Sequence, residues 1–213
     1  MRDFPMFTTE YGIASLILKE VPYRQEAYII IRSSEDPEDL LKECVSFCRM
    51  VGAEKIYAKG HPVVEQYPLH TIIYEMRGDA VVDPEKLEHI FPATEQTVGK
   101  WRQICNERMR HVDCAATQTT ADEKFLLETG GAYFIHHDGE LLGIGLMKGD
   151  ELMQICAVKP GSGEKVLHTL FSTVEGSRVH LEVASTNERA IRFYEKAGFI
   201  KTGEKSRWYR VFG

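Results

Sequence analysis

The residues best placed to do chemistry lie toward the C-terminal end of the chain. An apolar stretch ending in Cys156-Ala157-Val158 runs through Lys159-Pro160 into Gly161-Ser162-Gly163, and a helical pattern opens at Glu164-Lys165. Glycines at such a point let backbone amides approach an oxyanion closely, and the dipole of the following helix favours negative charge there. Lys165 adds a cation to the same place. Further on, Asn187 and Tyr194 stand seven residues apart, two helical turns, which sets an amide and a phenol on one helix face. Between these two features, Glu182 alternates against Val179, Leu181 and Val183 and so points away from their side of a strand. It is a candidate general base, together with Asp150, Glu151 and His180. Singly, each feature is ordinary: Gly-x-Gly is usually a plain turn, and a strand carboxylate is usually solvated.

Two other chemistries are excluded. GSGEKV at 161–166 lacks the adjacent Gly-Lys-Ser/Thr of a nucleoside-triphosphate loop, because Glu164 separates Gly163 from Lys165 and Val166 replaces the magnesium-binding hydroxyl. No set of His, Cys and carboxylates has the spacing of metal ligands. The five cysteines, Cys44, Cys48, Cys105, Cys114 and Cys156, are odd in number and contain no CxxC pair, so reduced thiols are expected.

These residues need an α/β scaffold to bring them together. Strands are expected at 11–19 and 26–32, joined by a turn at Pro22. A helix follows from Asp36-Pro37-Glu38-Asp39, an Asp cap with Pro at the first helical position and acids in the first turn. Leu40, Leu41, Cys44, Phe47, Cys48 and Val51 recur at helical spacing until Gly52. Strands at 55–58 and 70–76 come next, and the polar, Pro-containing stretch 78–92 reads as a boundary. Beyond it the pattern predicts helices at 94–112 and 120–128. Strands follow at 132–136 and 140–148, joined by a tight Asp138-Gly139 turn, and at 151–158. A helix at 164–175, a strand at 178–183, a helix at 187–197 closed by Gly198 and a strand at 206–211 complete the chain.

The 213 residues carry 26 Lys+Arg and 32 Asp+Glu, a net charge of −6, with 43% hydrophobic residues. This is a globular composition, long enough for one large or two small domains. The imbalance is local: residues 1–92 hold 10 basic and 16 acidic side chains, whereas 159–213 hold 10 basic and 6 acidic. An anionic ligand should prefer the second region. A net acidic chain without a basic cluster argues against nucleic acid. No apolar run is long enough to span a bilayer, and MRDFPMFTTEYG has none of the marks of a secretory signal, so a cytoplasmic protein without a membrane partner is expected.

The segment 150–199 resembles the GNAT superfamily of acetyl-CoA-dependent N-acetyltransferases. The resemblance rests on Ala157-Val158-x-Pro160, the Gly-x-Gly turn into a helix, and Asn187-x-x-Ala190-Ile191-x-Phe193-Tyr194-Glu195-Lys196-x-Gly198-Phe199. It covers residues 93–213. It implies a GNAT-like mixed β-sheet flanked by helices, with acetyl-CoA as co-substrate and an amine of unknown identity as acceptor. In such a protein the strand at 151–158 splays from that at 178–183. Cys156, Ala157 and Val158 would then meet the pantetheine arm through their main chain, and Gly161, Ser162, Gly163, Glu164 and Lys165 would hold the pyrophosphate. Asn187 would reach the pantetheine, and Tyr194, a phenol with a pKa of about 10, would protonate the departing thiolate. The family's turn is longer and carries Arg or Gln where Val158 stands here, which leaves fewer amides for the pyrophosphate. A non-catalytic module for CoA thioesters or a protein partner is the alternative.

Residues 1–92 are expected to form a smaller α/β domain. The order strand, strand, helix, strand at 11–58 echoes that at 140–183, which suggests a degenerate GNAT half. Its helix start is crowded with Glu35, Asp36, Glu38 and Asp39, so no cofactor site is expected there. Completing the sheet, walling the acceptor pocket and forming a homodimer interface are the roles open to it. A cationic acceptor would be drawn to this acidic section.

Overall fold

The computed structural model describes residues 5–213; the first four residues of the N-terminal stretch read above lie outside them. In chain order the elements are β1 (Met6–Thr9), β2 (Gly12–Ile17), α1 (Val21–Arg24), β3 (Glu26–Ser34), α2 (Pro37–Met50), β4 (Lys55–Lys59), β5 (Leu69–Asp79) and β6 (His89–Pro92). There follow α3 (Val98–Met109), α4 (Thr120–Thr129), β7 (Ala132–His137), β8 (Glu140–Lys148), β9 (Glu151–Ala157), α5 (Gly163–Phe171), β10 (Arg178–Ala184), α6 (Glu188–Lys196) and β11 (Ile200–Phe212). No helix among the described residues is long and apolar enough to cross a membrane.

The chain forms two compact units: residues up to Ile73 with Glu204–Gly213, and Tyr74–Gly203. This division differs from the expected boundary between 92 and 93. The stretch 78–92, read as the boundary, is structured within the second unit. β6 pairs antiparallel with β7 from His89↔His136 to Pro92↔Tyr133, and Lys86 and Glu88 form ion pairs with Glu164 and Lys165 of α5. A four-residue edge strand, His-Ile-Phe-Pro, is too short for alternation to reveal.

In the first unit β1, β2 and β3 pair antiparallel, β3 and β4 parallel, and β4 antiparallel to β11. α2 lays Leu40, Leu41, Cys44 and Cys48, all buried, against Leu16, Ile29 and Ile56. Its start is as expected: the Asp36 side chain accepts from Asp39 N at 3.2 Å. Pro22 lies in the short helix α1 rather than in a plain turn.

In the second unit the strand order is β5-β10-β9-β8-β7-β6. Successive residues of β7 serve opposite faces. Phe134 packs with Trp101, Ile104, Cys105 and Leu126 of α3 and α4, while Ile135 belongs to the cluster of Leu167, Leu170, Ile191 and Tyr194 from α5 and α6. The sheet is therefore covered on both sides. α5 approaches closely because β8 has glycine beneath it: a Cβ on Gly145 would lie 2.3 Å from Leu170 Cδ1. α5 ends at Phe171 rather than 175, since Thr173 and Val174 N donate to Leu170 and Phe171 carbonyls, a tighter last turn.

The order antiparallel pair, helix, parallel strand occurs in both units, as β2-β3-α2-β4 and as β8-β9-α5-β10. The parallel pairs differ. β3 and β4 are in register over five positions, from Glu26↔Lys55 to Ile30↔Lys59, whereas β9 and β10 pair at His180↔Glu151 alone.

Candidate functional site

That single position of pairing opens the site. His180 N donates to Asp150 O at 3.0 Å, and from there β9 stays on β8 while β10 leaves it. The register with β8 shifts between Leu146↔Gln154 and Met147↔Leu152, so Met153 is an extra residue on β9. Such a bulge bends the strand that carries it. Beyond the bulge, Gln154, Ile155, Cys156 and Ala157 form one edge of a gap whose other edge is the C-terminal half of β10.

At the end of β9 the chain turns onto α5. Val158 N donates to Leu142 O at 2.8 Å, and the buried Ser162 hydroxyl donates to the carbonyls of Leu142 and Lys159, both at 2.8 Å. Gly161 has φ +85°, which a side chain would strain. Gly163 serves packing instead: a Cβ there would sit 3.2 Å from the Phe193 ring. The turn therefore delivers the first amides of α5 to the mouth of the gap, where helix N–H groups lack intrahelical acceptors.

The charged side chains of this helix start are already engaged. Lys165 Nζ pairs with Glu88, which His137 also contacts at 2.7 Å, and Glu164 pairs with Lys196 at 2.7 Å and Lys86 at 3.2 Å. Burial alone would raise the Glu88 pKa, but hydrogen bonds from Lys165 and His137 and their charges hold it below the usual carboxylate value. The hydrogen bonds and charges of Lys196 and Lys86 do the same for Glu164. An anion here would meet backbone amides, with Lys165 tied to Glu88.

Asn187 and Tyr194 are on α6 as expected, and Asn187 has a second task. It is the N-cap, and its Oδ1 accepts from Ala190 N at 3.2 Å. Tyr194 is buried against Phe193 and Phe199, with ring centroids 5.5 and 5.8 Å away. Among the described residues its hydroxyl has no hydrogen-bond partner. Burial first, and the nearby Cys156 thiol second, push its pKa far above the ordinary phenol value. Tyr194 thus approaches β9 at Cys156 as a protonated donor. Glu182 is exposed on β10, on the opposite face from Val179, Leu181 and Val183. Of the other base candidates, His180 Nδ1 lies 3.5 Å from Asp150 Oδ2.

Two groups at this site were not singled out from the sequence. Cys105 of α3, read only as an apolar helix position, donates its Sγ–H to Gln154 Oε1 at 3.2 Å. The neighbouring Cys156 thiol first, and burial second, raise its pKa strongly. Arg108, one helical turn on, donates to Val158 O at 2.8 Å. Both contacts join residues about 50 apart, for which no local pattern exists.

A mixed sheet covered by two helices on each side, with one parallel pair splayed beside a glycine turn and helix start, is the fold of the GNAT acetyltransferases. No family model matches the chain. Among solved structures, an acetyltransferase of the GNAT family from Colwellia psychrerythraea is 13% identical, with a TM-score of 0.51 over 98% of this chain and 84% of its own. A GCN5-related N-acetyltransferase from Kribbella flavida gives a TM-score of 0.59 at 9% identity, over 97% of this chain and 59% of that one. A functionally unknown conserved protein from Staphylococcus epidermidis gives 0.58 at 9% identity, over 98% and 93%. These likenesses establish the fold. In sequence, the chain is 38% identical over 53 residues to the N-alpha-acetyltransferase RimI of Mycobacterium tuberculosis. That match covers 25% of this chain and 34% of RimI, about a third of its length.

Proposed function

We propose that this protein is an N-acetyltransferase that moves an acetyl group from acetyl-CoA to a primary amine by direct attack. The observation that carries the reading is the opening between β9 and β10 with the unpartnered Tyr194 hydroxyl beside it. The backbone of Cys156, Ala157 and Val158 would hold the pantetheine arm, with Asn187 reaching it from α6. The amides of Gly161, Ser162, Gly163, Glu164 and Lys165 would hold the pyrophosphate.

In the transfer, the amine nitrogen attacks the thioester carbonyl and a C–N bond forms. The oxyanion that develops is held by a backbone N–H of β9. Val158 N–H already donates to Leu142 O, so the donor lies upstream of it. As the C–S bond breaks, Tyr194 gives its proton to the CoA thiolate. The amine loses its proton to Glu182, directly or through water. The catalytic elements fall within 93–213, and we place the protein in the cytoplasm on its five free cysteines.

One observation favours a second reading, a non-catalytic module for CoA thioesters. The phosphate turn is short, and Glu164 and Lys165 are engaged in ion pairs. Release of CoA thiol across a panel of amines, with Tyr194→Phe beside the parent, separates the two. The transferase reading expects Tyr194→Phe to lower kcat on the order of 10²-fold, typical for loss of a general acid, with acetyl-CoA binding retained. Binding without turnover on any amine supports the module.

A further inference from the structure

The lysines on and against the turn between β9 and α5 are held by carboxylates. Lys159 pairs with Glu140, Lys165 with Glu88, and Lys86 and Lys196 with Glu164 at 3.2 and 2.7 Å. A phosphate arriving at this turn must compete for each of them with a carboxylate already in place. Val158, which stands where the GNAT turn carries Arg or Gln, adds no side-chain donor of its own. The turn therefore offers backbone amides but little uncompensated positive charge.

Arg108 is the exception. It reaches the turn from the last turn of α3, 50 residues away in sequence, and its Nη2 donates to Val158 O at 2.8 Å. Among the described residues no carboxylate holds it, and its side chain is exposed. A guanidinium carries several N–H donors in a planar fork and stays charged throughout the working pH range. A bond to a neutral carbonyl engages one of these donors and leaves the charge uncompensated. The anchor is itself well tied. Val158 N and Lys159 N donate to Leu142 O at 2.8 and 3.2 Å, and the Ser162 hydroxyl donates to the same carbonyl at 2.8 Å. Arg108 is thus fixed at the entrance to the turn, three residues before Gly161, without being neutralised there.

We propose that Arg108 supplies the positive charge for the pyrophosphate of acetyl-CoA, bonding its oxygens with the N–H groups that Val158 O leaves open. This rests on the acetyl-CoA reading of the site and deepens it. A side chain from α3 then provides in space what the short turn lacks in sequence. The charge that matters for the cofactor comes from outside the locally basic C-terminal region, whose lysines at this turn are paired.

Calorimetric titration of CoA and of 3′-dephospho-CoA, which keeps the pyrophosphate, tests this on the full-length parent, Arg108→Gln and Lys159→Gln. Each is measured at about 50 mM and about 300 mM NaCl, between which exposed charges become strongly screened. Arg108→Gln should weaken both ligands at least about tenfold at the lower salt, on the order of one charge-assisted hydrogen bond. It should also flatten the salt dependence of the affinity that remains. Lys159→Gln removes a cation already paired with Glu140 and should cost less than about threefold. Far-ultraviolet circular dichroism checks that each variant folds. Equal affinity of Arg108→Gln and the parent overturns the proposal. So does a loss with unchanged salt dependence, the mark of a merely structural hold on Val158. An equal loss in Lys159→Gln overturns it by making the effect one of overall charge, and a loss confined to CoA overturns it by moving Arg108 to the 3′-phosphate. If the parent binds neither ligand, the acetyl-CoA reading itself fails, an outcome visible without any variant, and the role of Arg108 falls with it.

Discussion

Tyr194 holds its proton on a ring set in a largely apolar cluster. Its ring is packed against Phe193 and Phe199, and burial disfavours the phenolate, so the group stays a donor throughout the pH range in which an amine acceptor is nucleophilic. The difference in phenolate absorbance between the parent and Tyr194→Phe should therefore show no ionisation of Tyr194 at or below pH 10, the ordinary tyrosine value. A difference band already developed near pH 9 would contradict the burial. The two-turn spacing of Asn187 and Tyr194 was readable in the sequence because helical geometry is local. The cap that Asn187 makes for Ala190 N was not read there, although its position before Glu188 is an ordinary cap signal. The pairing of Lys165 with Glu88 spans 77 residues and could not have been read. The resemblance sets Lys165 in a phosphate turn, and the structure pairs its ammonium with Glu88.

At the scale of elements, the difference between β9–β10 and β3–β4 matters most. Both are parallel pairs joined through a helix, yet five registered positions close one and a single position leaves the other open. The bulge at Met153 turns β9, and no alternation pattern in ELMQICA announces it. The opening is bordered by α5, whose first turn is tied to the 83–88 segment. Lys86 and Glu88 pair with Glu164 and Lys165, and Glu88 N donates to Thr169 Oγ1 at 3.1 Å. Because the folded Glu88 and Glu164 carboxyls titrate below their usual value, their stabilisation is complete above that value and is lost as pH falls through the folded ones. Glu88→Gln should cost on the order of 1 kcal/mol at pH 7, about 2–4 °C in Tm for a chain of this size. Near pH 3 the parent should have lost much of that advantage. Melting curves at pH 7, 5, 4 and 3 check this, and a constant Tm difference across the series would contradict it. Most of the longer β-strands and helices were legible because each presents a strong period, whereas the four-residue β1 (Met6–Thr9) was not expected. The segment 78–92 was not, since its order comes from partners on α5 and β7.

For the molecule as a whole, the net charge of −6 is an average over unlike regions. The locally basic C-terminal region ties its Lys165 and Lys196 to carboxylates. Composition states the sum, whereas tertiary pairing decides which charges remain available to a ligand. The thiols follow the same logic. All five cysteines are free, but Cys44, Cys48, Cys105 and Cys156 are buried, and burial raises Cys44 to about 12 and Cys48 to about 11. Ellman's reagent should modify one thiol readily in the native protein, Cys114, and all five after denaturation; rapid reaction of three or more natively would contradict the packing. The central claim is that the splayed strands and glycine turn form an acetyl-CoA site served by Tyr194. Calorimetric titration of acetyl-CoA into the full-length protein tests it most directly. The account predicts saturable binding at one site, retained in Tyr194→Phe. No heat and no thermal shift at about millimolar acetyl-CoA, a range in which even weak specific binding gives a signal, would contradict it.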